Sequence, residues 1–202
     1  MQLGKPPNRL AMTLLRRRLL SWLVVLALLA VGWWFAFRVL TSYRIPDVPF
    51  VTTPPEVVDA MIDLADLKPQ DIVYDLGCGD GRLILAAAQR QNIRGIGIDI
   101  DPERVAEARE AIREAGLSDR VRILRNDLFR ESFRDGNAVL MFLNPSVLER
   151  LLPEFEQLRP GSRIVSHHYR IPTIRPEKTL QVNDSTGLEH PVHLYITPLK
   201  RE

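Results

Sequence analysis

Val73-Tyr74-Asp75-Leu76-Gly77-Cys78-Gly79-Asp80-Gly81-Arg82 decides how the rest of the chain is read. Its first half reads as the end of a buried strand. Its second half is a turn with glycine at alternate positions, and Arg82 opens a helical stretch. Glycines let the backbone bend tightly and approach a ligand where a Cβ would collide. The helix that follows offers unpaired N–H groups to whatever sits in the turn. The spacing is not the GxGxxG of dinucleotide binders, and a carboxylate, Asp75, stands on the strand just ahead of the glycines. That carboxylate would repel a phosphate and suits a cationic amino group.

Working outward, strands and helices alternate. A helix begins at Thr52-Thr53-Pro54-Pro55-Glu56, with a threonine cap, and runs to about Leu67; Val57, Val58, Met61, Ile62 and Ala65 form its apolar stripe. Asp71 to Leu76 is the first strand, and Arg82 to about Gln91 the helix after the glycine turn. Arg94 to Ile100 is the second strand. Asp101-Pro102-Glu103 caps a helix that buries Val105, Ala108 and Ile112 and stops at Gly116. Val121–Arg125, Ala138–Leu143 and Arg163–His167 are three further strands. Between the last two, a helix capped by Ser146 reaches about Leu158 and is kinked or split at Pro153. Too few residues follow His167 for another parallel crossover. Thr179–Val182 and Val192–Thr197 therefore read as two last strands joined by a long hairpin. The expected fold is a doubly wound, mostly parallel seven-stranded α/β sheet with an antiparallel last strand.

Ligands of such sheets bind beyond the carboxyl ends of the strands. Asp99, followed by Ile100, ends the second strand, where an acid can accept from two ribose hydroxyls. Asn126-Asp127, followed by Leu128, ends the third and suits an exocyclic amine. Taken singly, Asp99 also reads as a solvated turn carboxylate and Asp127 as a loop cap. Three acids at successive strand ends beside one glycine turn point to S-adenosylmethionine. Cys78 reads as a small residue beneath that ligand, since no basic partner marks it as a nucleophile.

Charge is unevenly divided. Residues 1–46 hold seven basic residues and no acid; residues 47–202 hold 20 basic against 25 acidic, a net charge of −5. A nucleic-acid patch is not expected on the folded part. The single cysteine excludes a disulfide framework. Leu19–Phe37 is an uncharged run of 19 residues, about 28 Å as a helix and close to a bilayer's hydrocarbon thickness. Arg16-Arg17-Arg18 and Arg38 flank it, and Trp33 and Trp34 suit an interface. A cleaved signal peptide ending near Ala30-Val31-Gly32 is the competing reading, disfavoured because the run exceeds a usual signal core. The chain then divides into a basic segment (1–18), a transmembrane anchor (19–37), a linker (38–53) and a folded domain (54–202). The excess of basic residues before the anchor places the N-terminus in the cytoplasm and the domain on the far side. A nucleotide-derived cofactor places the domain in the cytoplasm instead, and we give that the greater weight.

Residues 46–197 resemble the class I, seven-strand S-adenosylmethionine-dependent methyltransferases, through Asp75 to Gly81 and Asp99. Pro49-Phe50-Val51-Thr52-Thr53-Pro54, Tyr74 to Arg82 and the anchored N-terminus resemble a narrower family. These are the membrane-anchored protein lysine methyltransferases related to the enzyme that modifies the ATP synthase c subunit. The resemblance implies that Asp75, Gly77, Cys78, Gly79 and Gly81 surround the donor's methionine end. It likewise puts Asp99 and Ile100 at the ribose, and Asp127 and Leu128 at the adenine. Asn144 and Pro145, after the fourth strand, would position the methyl acceptor, although the Asn/Asp-Pro-Pro-aromatic pattern of many amino-group methyltransferases is incomplete in Asn144-Pro145-Ser146-Val147. Asn144 also reads as a plain helix-entry residue. Phe142, His167 and Tyr169 would border the acceptor pocket. His167, His168, His190 and His193 match no zinc spacing, and no metal is expected. The expected activity is methylation of a lysine on a membrane or membrane-associated protein. A lipid or small-molecule methyltransferase and a non-catalytic donor-binding module are the alternatives.

Overall fold

The computed structural model describes residues 9–42 and 51–202; residues 1–8 and 43–50, with most of the expected linker, lie outside the described residues. The chain forms two units, residues 1–45 and 46–202. In the first, a single helix, α1 (Arg9–Ser42), runs unbroken for 34 residues. It takes in part of the expected basic segment and the start of the expected linker. Its Leu20–Arg38 stretch is long and apolar enough to cross a membrane, one residue along from the expected span. Arg38 folds back over Trp34, its guanidinium carbon 5.6 Å from the ring centre.

The second unit has the order α2 (Pro55–Ala65), β1 (Ile72–Leu76), α3 (Arg82–Arg90), β2 (Arg94–Asp99), α4 (Pro102–Glu114), β3 (Val121–Arg125), a single 3₁₀ turn (Leu128–Arg130), β4 (Ala138–Met141), α5 (Pro145–Phe155), β5 (Arg163–His167), β6 (Lys178–Asn183) and β7 (Glu189–Ile196). The strands lie side by side as β3-β2-β1-β4-β5-β7-β6. β1 to β5 pair in parallel, and β7 runs antiparallel to both β5 and β6. The seven-stranded doubly wound sheet with its antiparallel ending is thus as expected.

Period-two alternation splits the core across the two faces of the sheet. Val73, Ala138, Leu140 and Val165 pack with α2, α3 and α4 on one side. Tyr74, Leu76, Val139, Met141 and Ile164 pack with α5 and Phe133 on the other. At the amino ends of the strands, Arg163 of β5 forms an ion pair with Asp71, just before β1. Strand order reverses between β1 and β4, which opens a crevice at their carboxyl ends.

Four local expectations need correction. Thr53 does not cap α2; Pro54 occupies that position without a side-chain cap, and the Thr53 hydroxyl points elsewhere. α5 is capped by Asn144, not Ser146, because an asparagine one residue before a first-turn proline has its oxygen placed for the Val147 N–H. Pro153 does not split α5, since it sits in the last turn. The β6–β7 hairpin is also shorter than expected, with Asn183 already paired to Glu189.

Candidate functional site

The glycine turn is fixed by the end of β2. Gly77 and Cys78 donate to the Ile98 carbonyl at 2.9 and 3.0 Å, and Gly79 N–H donates to Asp99 Oδ2 at 2.8 Å. Gly81 closes the turn on the Cys78 carbonyl at 2.8 Å and caps α3 with φ of +79°. A Cβ there would lie 2.9 Å from Ala108 Cβ of α4, so both conformation and packing demand glycine. Gly97 is needed for space alone: a Cβ on it would lie 2.7 Å from Ile123 Cδ1 and 3.0 Å from Cys78 Sγ. Cys78 is buried beneath the turn, and that burial pushes its thiol up, away from nucleophilic use.

Asp75 is 3 % exposed, and its Oδ2 is buried with no hydrogen-bond partner among the described residues. Burial raises its pKa to about 8, opposed by the Ile84 backbone N–H and reinforced by the charges of Asp99 and Asp80. A buried carboxyl with one oxygen left without a partner, beside a glycine turn, fits a cationic amino group, which would supply the missing partner and favour the carboxylate form. Asp99 uses both oxygens within the protein, Oδ2 for Gly79 and Oδ1 for the Asp101 N–H at 2.9 Å. A carboxylate has about four acceptor sites, so each oxygen keeps capacity for a hydroxyl. The Asn126 N–H donates to the Asp99 carbonyl at 2.9 Å, which brings the exits of β2 and β3 side by side. There Asp127 accepts from Phe129 N–H at 3.1 Å and caps the 3₁₀ turn, the plain loop-cap role that its sequence position also allows. Arg150 of α5 stacks on Phe129, 3.6 Å from the ring centre, and holds the loop that carries Leu128. Ile100 is half-buried directly after β2.

The residues expected to border the acceptor meet at the exits of β4 and β5. The Phe142 ring centre is 4.0 Å from that of His167, and Phe142 stacks toward Tyr169 at 6.2 Å. Asn144 spends its oxygen on the helix, accepting from Val147 N–H at 3.0 Å and from the Ser146 hydroxyl at 2.8 Å. Its helix-entry role is therefore real, and Pro145 beside it is exposed. His168 adopts a left-handed φ of +66°, with Tyr169 N–H donating to the His167 carbonyl at 2.8 Å across it. His193 lies 3.0 Å from the Thr179 hydroxyl.

Thr53 is the residue that sequence reading misplaced. Its hydroxyl lies 3.3 Å from His167 Nδ1, and its carbonyl accepts from Arg82 at 3.2 Å. Arg82 in turn grips Asp80 of the glycine turn, Nη2 to Oδ2 at 2.6 Å. On the other side, Leu143 abuts the turn, its Cδ2 3.0 Å from where a Cβ on Gly77 would sit. The contacts close a ring: glycine turn, Leu143, Phe142, His167, Thr53, Arg82 and back to the turn. The glycine turn and the aromatic wall are therefore held in one frame. A cavity of ≈470 Å³ lies behind this ring between α2, α3 and α4, touching Thr53, Asp80 and Arg82 but not Asp75 or His167.

Comparison with known proteins gives a consistent picture. Residues 75–178 match the family described as the ANTKMT methyltransferase domain. A protein-lysine N-methyltransferase of Saccharolobus islandicus is 40% identical over 154 residues, covering 75% of this chain and 95% of that protein. The adenine nucleotide translocase lysine N-methyltransferase of Mus musculus is 37% identical over 137 residues, 66% of this chain and 59% of that one. The ATP synthase c-subunit lysine N-methyltransferase of Xenopus laevis is 27% identical over 154 residues, 76% of this chain and 66% of that one. Among solved structures, an RNA methyltransferase from Salinibacter ruber in complex with S-adenosyl-L-homocysteine superposes with a TM-score of 0.68 at 40% identity, covering 75% of this chain and 97% of that chain.

Proposed function

Since this chain belongs to the S-adenosylmethionine-dependent protein-lysine methyltransferases of the ANTKMT methyltransferase-domain family, we propose that it methylates a lysine of a protein in or at a membrane, by in-line transfer. The observation that carries this reading is the closed ring of contacts, in which one side chain, Leu143, separates the glycine turn from the aromatic wall. When bound, S-adenosylmethionine supplies a methyl group on a sulfonium that is already activated for displacement. The protein's work is therefore alignment and exclusion of water. Asp75 would hold the donor's amino group, Gly77 to Gly81 its methionine end, Asp99 with Ile100 its ribose, and Asp127 with Leu128 its adenine. Phe142, His167 and Tyr169 would line the path of the lysine, whose alkyl stem suits aromatic faces. Asn144 and Pro145 would act by fixing the α5 entry beside Leu143 and the turn, consistent with the cap that Asn144 provides.

The membrane part of the reading draws on Leu20–Arg38, long and apolar enough to span a bilayer, with the methyltransferase domain facing the cytoplasm where the donor is present. It also draws on relatives named for lysine methylation of the adenine nucleotide translocase and of the ATP synthase c subunit. The Salinibacter neighbour's name raises RNA as an acceptor. The net charge of −5 over residues 47–202 argues against it. Transfer of labelled methyl groups from donor to a membrane fraction, separated afterwards into protein, lipid and RNA, tests the proposal with the full chain. Label recovered as methyl-lysine in protein supports it. Label confined to lipid or RNA overturns it, as does donor binding without any transfer.

A further inference from the structure

A line of hydrogen bonds runs from the acceptor side of the ring to the tip of the β6–β7 hairpin. Thr53 Oγ1 is 3.3 Å from His167 Nδ1, His167 Nε2 is 3.1 Å from His190 Nδ1, and His190 Nε2 is 3.1 Å from Asp184 Oδ2. Chemistry fixes its direction. A carboxylate only accepts, so His190 carries its proton on Nε2 and leaves Nδ1 bare. His167 must then donate from Nε2, and its bare Nδ1 accepts from the Thr53 hydroxyl. Every donor points away from the acceptor pocket, which leaves the lone pairs of Thr53 Oγ1 to receive an N–H. Asp184 is built to anchor the far end. Its Oδ1 accepts from Thr186 N–H at 2.9 Å, the Thr186 hydroxyl at 2.6 Å and Leu188 N–H at 3.0 Å. Those bonds, the Thr186 hydroxyl foremost, hold its carboxyl below the usual range and keep it an anion.

Burial differs along the line. His167 is 1 % exposed and Thr53 7 %, whereas the His190 side chain reaches 17 % and that of Asp184 8 %, so the line opens to solvent at His190. Burial, with the charges of His190 and His168, pushes His167 down to about 3, so this ring hands a proton on and does not store it. The other titratable or charged groups nearby are His193 on β7, Arg170 after β5 and Glu56 in the first turn of α2, the helix packed against β5 and β7.

We infer that Thr53, His167, His190 and Asp184 form a proton relay that carries the acceptor lysine's proton from the methyl-transfer site to solvent, an inference that rests on the protein-lysine reading above. A lysine ammonium ordinarily ionises near pH 10.4, so almost none of the acceptor is nucleophilic at neutral pH. In the relay an ammonium N–H bond breaks as its proton bonds to Thr53 Oγ1. The Thr53 proton passes to His167 Nδ1, and the His167 Nε2 proton passes to His190 Nδ1. The positive charge then rests on the His190 imidazolium, against the Asp184 carboxylate. The nitrogen keeps its electron pair for the methyl carbon, no electrons change hands, and His190 returns one proton to water. Thr53 and His167 border the reacting amine, while His190 and Asp184 are positioning residues that act through them.

The test uses the full chain in detergent, isotope-labelled S-adenosylmethionine and poly-L-lysine as acceptor, with initial rates from pH 6.5 to 10.5. At pH 7, Thr53→Val, His190→Asn and Asp184→Asn are each expected to lower the rate by about 10- to 100-fold. The loss should fade toward pH 10.5, where water itself deprotonates the lysine. Donor affinity should not change, and Thr53→Ser, which keeps the hydroxyl, should retain most of the rate. A loss equal at every pH would mark the residues as merely structural and overturn the relay, as would full activity at pH 7. If the unmutated chain binds donor yet never methylates poly-L-lysine, the lysine reading falls and the relay with it.

Discussion

The two sides of the site are made in different ways. On the proposed donor side, a single run from Asp75 to Arg82 supplies the glycine turn, and the neighbouring strand exits add one acid each. Most of its contacts join residues close in sequence or on adjacent parallel strands, such as Gly81 to Cys78 and Gly79 to Asp99. On the acceptor side, Thr53, Phe142, His167 and His190 come from four separate parts of the chain and meet only because β4, β5 and β7 lie side by side. A site for a common ligand can be carried by a short motif. A site for a particular acceptor is assembled from whatever the fold brings together.

The sharpest way to break that contrast lies within the turn. Gly81→Val forces a branched side chain into a left-handed φ of +79° and against Ala108 of α4. A loss of about 3 kcal/mol or more of folding stability is expected, with donor binding abolished, read by thermal melts and calorimetry. An intact fold with normal donor affinity would show that the turn is not the cradle.

Asp75→Asn separates ligand binding from folding on the same side. The buried carboxyl has a folded pKa of about 8, above its ordinary value near 4, so the folded protein holds a proton that the unfolded chain releases. Its contribution to stability is therefore fully present below about pH 4 and falls as pH rises toward 8. The amide should flatten that decline, leaving the ligand-free protein more stable than the parent at pH 8. Donor affinity should nevertheless drop by about tenfold or more, because an ion-paired hydrogen bond is lost. Melting curves from pH 5 to 9, paired with titration of the donor, measure both.

The smallest expected effect lies on the other side. The Tyr195 hydroxyl accepts from the Ile171 backbone N–H at 2.9 Å in a buried setting and holds the loop that leaves β5 with His168 and Tyr169. Tyr195→Phe should cost about 1–2 kcal/mol in denaturant unfolding. It should raise the KM for the lysine acceptor while leaving donor affinity untouched. Equal losses of both would mean that the two sides are not separately built.

The alternating pattern of the chain carried the sheet, since strands alternating with amphipathic helices have essentially one parallel solution, and the missing last crossover predicted the antiparallel ending. Local polarity also marked the Asp101 cap and the inward Val105, Ala108 and Ile112. The errors fell where two local uses compete. Thr53 and Ser146 both resemble caps, but a proline at the helix entrance, Pro54, and an earlier asparagine, Asn144, took those places. Which hydroxyl turns inward then depends on what lies opposite.

Sequence by itself determined the glycine turn, the family and an apolar helix of membrane-spanning length, because each is written in contiguous residues whose spacing has a direct physical meaning. Only the tertiary structure decided that Thr53 faces His167, that Asn144 serves a helix, and that Asp184 and His190 complete a line of hydrogen bonds. Those contacts join residues up to 114 positions apart, and the polarity of the line follows from an anion at its end that no local pattern ties to the beginning.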